Sequence, residues 1–171
     1  MRKAVIFDID GTLVDSVDLH AESWREAFSE VGQQVRFLDL RSQIGKGADM
    51  LIRSFLGEEE AKQWEKKLAK RQEEIFKKRH FRLVRPFACV PELFRQLRKK
   101  RWALVLGTSG KKDAVVRYKK LLQIEGLTDL EISADDVQRS KPHPDIFEFA
   151  LKKLDGIGTD RILAVGAELY Q

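Results

Sequence analysis

Ala4-Val5-Ile6-Phe7-Asp8-Ile9-Asp10-Gly11-Thr12-Leu13-Val14-Asp15-Ser16 is the stretch from which the rest of the chain can be read. An apolar run leads into a carboxylate, a second carboxylate follows two positions on, and a glycine comes next. An uninterrupted apolar run of this length reads as a strand buried on both faces, as in a parallel sheet. Asp8 then stands at or just past the strand's carboxyl end, where open α/β sheets bind ligands. Two acids this close repel each other unless a cation or a proton compensates them. Hard oxygen ligands with water access suit Mg²⁺. A bare D-x-D is equally compatible with a strand that ends in a turn. What the other strand ends carry decides between the two.

With 171 residues the chain makes one large domain, or a core with a small insertion. Hydrophobic content of 43% with 35% charged residues is ordinary for a soluble globular protein. No apolar run approaches a membrane span, and no signal peptide precedes Met1-Arg2-Lys3. The single Cys89 permits no internal disulfide, which fits a reducing, cytoplasmic setting; it is read as core or near-core. The net charge of +5 raises nucleic acid as a partner. The excess, however, sits mainly in Lys66 to Arg85 and in Arg98-Lys99-Lys100-Arg101. The first group alternates with apolar residues at helical spacing, so a solvated helix face is the better reading. A basic surface also draws in anionic phosphate esters. Composition and charge therefore favour neither nucleic acid nor membrane as the partner; oligomeric state is not legible.

From Asp15 to about Val84 the pattern is helical. Asp15 or Ser16 can cap a first helix whose stripe is Val17, Trp24, Ala27, Phe28 and Val31, with Gly32 as its stop. A helix with Met50, Leu51, Phe55 and Leu56 stops at Gly57. The next opens on Glu58-Glu59-Glu60 and closes on Lys77-Lys78-Arg79-His80, a charge order that complements the helix dipole. A single crossover between parallel strands needs only a dozen or so residues, so most of this segment is surplus to the sheet. The simplest account is an all-helical insertion over 15–84, placed to cover the site at the strand ends and exclude water. Residues 1–14 and 85–171 are then the α/β core. In it, Pro91 starts a helix through Leu93, Phe94 and Leu97. Trp102 to Gly107 is a second buried strand, and a helix through Val115, Tyr118, Leu121 and Leu122 follows. Leu130 to Ile132 is a third strand, a helix through Ile146, Phe149, Ala150 and Leu154 comes next, and Arg161 to Gly166 is a fourth strand. Strands alternating with helices give a parallel, Rossmann-like sheet.

Each strand end offers chemistry. The second ends in Thr108-Ser109-Gly110, where a hydroxyl can donate to a phosphate oxygen. Ser109 can cap the next helix, leaving Thr108 available. Ahead of the fourth strand, Ser140-Lys141-Pro142-His143-Pro144-Asp145 holds a lysine in a stretch stiffened by proline. D-x-D-G-T-L-V-D-S, strand-then-Thr-Ser, and Lys-Pro-His-Pro-Asp, in this order, resemble the motifs of the haloacid dehalogenase (HAD) superfamily of phosphohydrolases. The resemblance covers essentially the whole chain. The helical insertion, and Ala134-Asp135-Asp136-Val137 before the lysine, are similar to the subgroup of phosphoglycolate phosphatases and β-phosphoglucomutases.

The resemblance implies a Mg²⁺-dependent phosphatase whose partner is a small phosphorylated metabolite. Asp8 would be the nucleophile that forms an aspartyl-phosphate. Asp10 would protonate the leaving oxygen and then deprotonate water. Mg²⁺ would sit between Asp8, the Asp10 backbone carbonyl and the phosphoryl group. Thr108 and Lys141 would bind the phosphoryl oxygens. His20, Lys46 and Ser109 fall where residues of such enzymes face substrate, although for His20 and Lys46 the choice between that and an ordinary role stays open. Trp24 reads better as core. Mutase-like members carry an arginine where this chain has Ala48 and Asp49, which favours a simple phosphatase over a sugar-phosphate mutase.

The tail departs from the pattern. Family members follow the last strand with a further acidic motif, whereas this chain reads Val165-Gly166-Ala167-Glu168-Leu169-Tyr170-Gln171. Under one alignment of that motif both acids are lost, to Ala167 and Gln171; under the other, Leu169 replaces one acid and Glu168 alone is left to serve as a metal ligand. The core is therefore expected to be shortened at its carboxyl end, with the fourth strand less covered. Two function classes follow: an active phosphatase, or a phosphate-binding, regulatory protein of the same fold with impaired catalysis.

Overall fold

The computed structural model describes residues 2–166. In chain order it comprises β1 (Ala4–Phe7), β2 (Val14–Asp15), α1 (Val17–Ser29), α2 (Phe37–Arg41), α3 (Ala48–Arg53) and α4 (Glu58–Ile75). The last runs on through a π-helical turn, Phe76–His80, and a 3-10 turn, Phe81–Leu83. Then come β3 (Arg85–Pro86), α5 (Val90–Lys99), β4 (Ala103–Gly107), α6 (Lys112–Leu122), β5 (Leu130–Ile132), α7 (Asp145–Lys153) and β6 (Ile162–Val165).

Four strands form a parallel sheet in the order β5-β4-β1-β6. Val5 pairs with Leu104 on one side and Leu163 on the other. Alternate residues feed two separate cores, because strand side chains alternate between faces. Ala4, Ile6, Ala103 and Val105 pack with Ile146, Ala150 and Leu154 of the α7 region. Val5, Phe7, Leu104 and Leu106 pack with Phe94 of α5 and with Val115, Tyr118 and Leu122 of α6. Both faces of the inner strands are thus covered, which is why Ala4–Phe7 and Ala103–Gly107 carry no polar alternation. At the edge, Leu163 and Val165 of β6 are 54% and 41% exposed.

Residues 17–75 have a core of their own, built from Ala21, Trp24, Ala27 and Phe28 of α1, Leu40 of α2, Leu51 and Ile52 of α3, and Leu68 and Ile75 of α4. The ladder β2–β3 pairs Val14 with Pro86 and Asp15 with Arg85, so the chain enters and leaves the helical segment side by side. No described helix is long and apolar enough to cross a membrane.

Three local expectations need correction. Ser16 does occupy the N-cap position of α1, but its hydroxyl makes no capping bond and reaches Asp10 instead. Ser109 does not cap α6: the chain runs on past the strand before turning, and Lys111 takes the N-cap position. Cys89 is exposed, not core. It precedes α5 with φ at +64°, and the buried face of that helix begins one residue later, at Val90 and Phe94.

Candidate active site

β1 and β4 lie side by side at the centre of the sheet, and their carboxyl ends set the two residues on which the site is built. Asp8 follows Phe7, and its N–H donates to the Val165 carbonyl at 2.9 Å. Thr108 follows Gly107, and its N–H donates to the Ile132 carbonyl at 3.0 Å. Both side chains are buried. After Asp10 the backbone reverses at once: Gly11 has φ at +76°, a conformation glycine adopts without steric cost, and the N–H groups of Thr12, Leu13 and Val14 all point at the Ile9 carbonyl. This reversal holds Asp10 at the strand end.

Lys141 arrives from the loop ahead of α7. It is 1% exposed, and its Nζ donates to Asp8 Oδ1 at 2.8 Å, with the Phe147 ring 5.8 Å away. A lysine buried to this degree is tolerable only against a compensating anion. Sequence proximity does not bring the two together, since they are 133 residues apart.

Asp10 is held by a cluster. Its Oδ1 accepts from Ser16 Oγ at 2.6 Å, from Tyr118 Oη at 2.6 Å and from His20 Nε2 at 3.0 Å. On the other side of the imidazole, Gln72 Nε2 of α4 donates to His20 Nδ1 at 3.3 Å. The His20 ring stacks on Phe76 at 3.8 Å, with 7° between the planes. Burial pushes the Asp10 carboxyl up, but neighbouring His20 and the hydrogen bonds from His20, Ser16 and Tyr118 outweigh it and hold the group at about 2. Burial first, and the Asp10 charge second, push the Tyr118 phenol well above its ordinary 10, so it stays a donor.

Asp8, Asp10 and Thr108 line one cleft, together with His20, Trp24, Lys46, Gln72 and Ser109. Lys141 joins them through Asp8. The roof is the turn before α3. Ser109 Oγ donates to the Gly45 carbonyl at 3.0 Å, the Gly47 N–H donates to the Lys141 carbonyl at 3.0 Å, and Ser140 donates to Asp49. A Cβ on Gly47 would collide with the Ser140 side chain, so the close approach of roof and lysine loop requires glycine there. Lys111 pairs with Glu73 at 2.8 Å and ties α4 to the start of α6.

The four residues expected to carry chemistry therefore converge. Of the expected substrate-facing residues, Lys46 lines the cleft while bonded to Gln43 and Ser54, Ser109 is engaged with the roof, and His20 is directed at Asp10. Trp24 is buried in the helical core and also borders the cleft. Thr108 Oγ1 accepts from the Gly110 N–H at 3.0 Å, which leaves its hydroxyl hydrogen to give. Ser16, Gln72 and Tyr118 were missed as site residues. By local rules Ser16 is a cap and Tyr118 is core; the Ser16 hydroxyl bonds Asp10 in place of capping, and Tyr118 packs its ring in the core while its hydroxyl reaches Asp10.

The oxygens that would hold Mg²⁺ are the Asp8 carboxylate and the Asp10 main-chain carbonyl. The Asp10 side chain is a poorer candidate, with Oδ1 already taking three donors. No group of three or more His, Cys, Asp or Glu able to hold a metal occurs among the described residues. Glu168, the expected third ligand, lies outside them. Mg²⁺ commonly rests on one or two carboxylates, waters and substrate phosphates, and this sparse donor set fits that habit.

A gathering of this kind at the carboxyl edge of a parallel sheet marks an α/β enzyme. The chain belongs to the haloacid dehalogenase-like hydrolase family, whose model matches residues 5–170. It is 25% identical over 158 residues to a phosphorylated carbohydrates phosphatase of Thermotoga maritima, an alignment covering 90% of this chain and 71% of that one. It is 28% identical over 152 residues to the pyrophosphatase PpaX of Bacillus mycoides, covering 88% of this chain and 68% of the relative. Among solved structures, a hydrolase from Pseudomonas syringae superposes with a TM-score of 0.80 at 27% identity, covering 97% of this chain and 76% of that one.

Proposed function

We propose that this phosphoric monoester hydrolase is a Mg²⁺-dependent phosphatase of a small phosphorylated metabolite, working through an aspartyl-phosphate on Asp8. The observation that carries the reading is the buried Lys141 ammonium 2.8 Å from Asp8 Oδ1, on a cleft that Thr108 and Asp10 also border. An ammonium in that place keeps the carboxylate ionised as a nucleophile and offers a positive charge to phosphoryl oxygens. The Thr108 hydroxyl adds a second donor to the same oxygens. Asp10 gives a proton to the leaving oxygen and takes one from the water that releases phosphate from Asp8. Mg²⁺, held by Asp8 and the Asp10 carbonyl, would supply charge neutralisation between the carboxylate and the phosphoryl group. Segment 15–84 acts as the cap: its roof turn and the Lys111–Glu73 pair close the cleft and keep bulk water out. The names of the relatives, one acting on phosphorylated carbohydrates and another on pyrophosphate, support a phosphate substrate without choosing one.

The test is hydrolysis of 4-nitrophenyl phosphate with Mg²⁺ and with EDTA, by the native protein and by Asp8→Asn. The expected result is turnover by the native protein that falls on removing Mg²⁺, and a loss of roughly a thousandfold or more in Asp8→Asn, as for removal of a covalent nucleophile. Equal rates for the two proteins would leave a phosphate-binding protein without catalysis.

A further inference from the structure

We propose that Tyr118 is a positioning residue: its hydroxyl orients Asp10 so that Oδ1 is spent on structure and Oδ2 is the oxygen that exchanges protons with substrate. This rests on the reading of Asp10 as acid and base. Ser16, Tyr118 and His20 all donate to Oδ1, at 2.6, 2.6 and 3.0 Å. No hydrogen bond among the described residues ends on Oδ2. A carboxylate oxygen offers about two lone-pair sites, so three donors saturate Oδ1.

The three donors are not equivalent. Ser16 and His20 stand at the start of the helical segment, within ten residues of Asp10 in sequence. Tyr118 comes from α6, which packs directly on the sheet, 108 residues away. It alone of the three comes from a helix packed on the sheet, and its hydroxyl also lies 3.2 Å from His20 Nε2. The ring is 3% exposed and rests against Phe81 at 5.7 Å. A side chain with two torsions, locked in this way, holds its hydroxyl in one place. Proton transfer needs such placement, since a misplacement of about 1 Å costs on the order of a hundredfold in rate. The plainer role for a buried tyrosine is to satisfy its own hydroxyl, and the two roles differ in what they do to catalysis.

Tyr118→Phe keeps the ring and removes the hydroxyl. We would compare kcat/KM, with Mg²⁺, for an alkyl ester (glycerol 2-phosphate) and for 4-nitrophenyl phosphate. An alkoxide cannot leave without a proton, whereas 4-nitrophenolate needs little help. The expected result is a loss in kcat/KM of about tenfold or more on the alkyl ester and less than about threefold on the aryl ester. Equal losses on both, or none on either, overturn the proposal. Phe81→Leu loosens the same packing but keeps the hydroxyl, and should move the alkyl-to-aryl ratio by less than Tyr118→Phe does. A ratio shift as large as that of Tyr118→Phe would assign the effect to packing and overturn the proposal. A crystal structure of Tyr118→Phe reads the orientation without turnover: a rotated Asp10 carboxylate supports the proposal, and an unmoved one refutes it. If the native protein hydrolyses neither ester, the reading of Asp10 as acid and base fails, and this proposal with it.

Discussion

Lys141→Met removes the cation from the Asp8 pair while nearly conserving side-chain volume. At 2.8 Å the gross attraction is about 6 kcal/mol for an effective dielectric of about 20. Most of that offsets the cost of burying both charges. Removing one partner of a buried pair nevertheless destabilises by about 3–5 kcal/mol. Asp8 keeps 7% exposure and borders a cleft, so the lower end, about 3 kcal/mol, is expected. With a urea m value of about 2 kcal/mol/M, the unfolding midpoint should fall by about 1.5 M at unchanged m. Asp8→Asn should also destabilise, because it removes the carboxylate charge that faces the buried ammonium at 2.8 Å. The double variant Asp8→Asn/Lys141→Met should lose less than the sum of the two, with a coupling of about 2 kcal/mol or more. Urea unfolding followed by far-UV circular dichroism measures all four proteins. Additive losses, or a Lys141→Met midpoint within about 0.2 M of the native one, would refute the pair as the organiser of the site.

The Asp10 carboxyl is held at about 2 against an ordinary 3.8. A depressed carboxyl adds stability that is present above its unfolded value and disappears as pH falls through the folded one. The native protein should therefore lose about 2 kcal/mol between pH 4 and pH 2 from this group, and Asp10→Asn should flatten that part of a stability–pH curve. Gly47→Ala forces a Cβ into Ser140, so roof and lysine loop must part. A loss of about 1–3 kcal/mol is expected by chemical denaturation, with KM raised more than core variants of equal cost raise it. Phe28→Ala empties a fully buried position in the helical core and should cost about 3–5 kcal/mol in the same measurement. Cys89→Ser, at an exposed position, should change stability by less than about 0.5 kcal/mol.

The run Ala4–Phe7 and the run Ala103–Gly107 could be read as buried strands because both faces are covered and no residue needs to be polar. Asp8, Thr108 and Lys141 could be read as candidates because each stands where a strand ends or a proline-stiffened loop leads into a helix. Tyr118 could not. Periodicity registers its apolar ring, which belongs to the α6 stripe, and is blind to the hydroxyl at the other end. Ser16 and Ser109 failed for a related reason. A hydroxyl near a helix start is a cap by local rules, but neither caps: Ser16 turns back to Asp10, and Ser109 reaches the Gly45 carbonyl in the helical segment. Cys89 was misplaced because composition favours burial for cysteine, whereas its backbone conformation puts it outside the helix face.

The sequence by itself determined the alternation of strands and helices, the helical segment between the first two main strands, and the set of residues able to carry phosphate chemistry. Those properties are local: they depend on spacing along the chain and on residue type. Only the tertiary structure decided that Lys141 sits on Asp8, that three donors share one oxygen of Asp10, and that a glycine turn lies against the lysine loop. Such contacts join residues up to 133 positions apart. They arise because burying a charge or a hydroxyl is tolerable only beside a partner, and the sheet and its covering helices settle which partner is within reach.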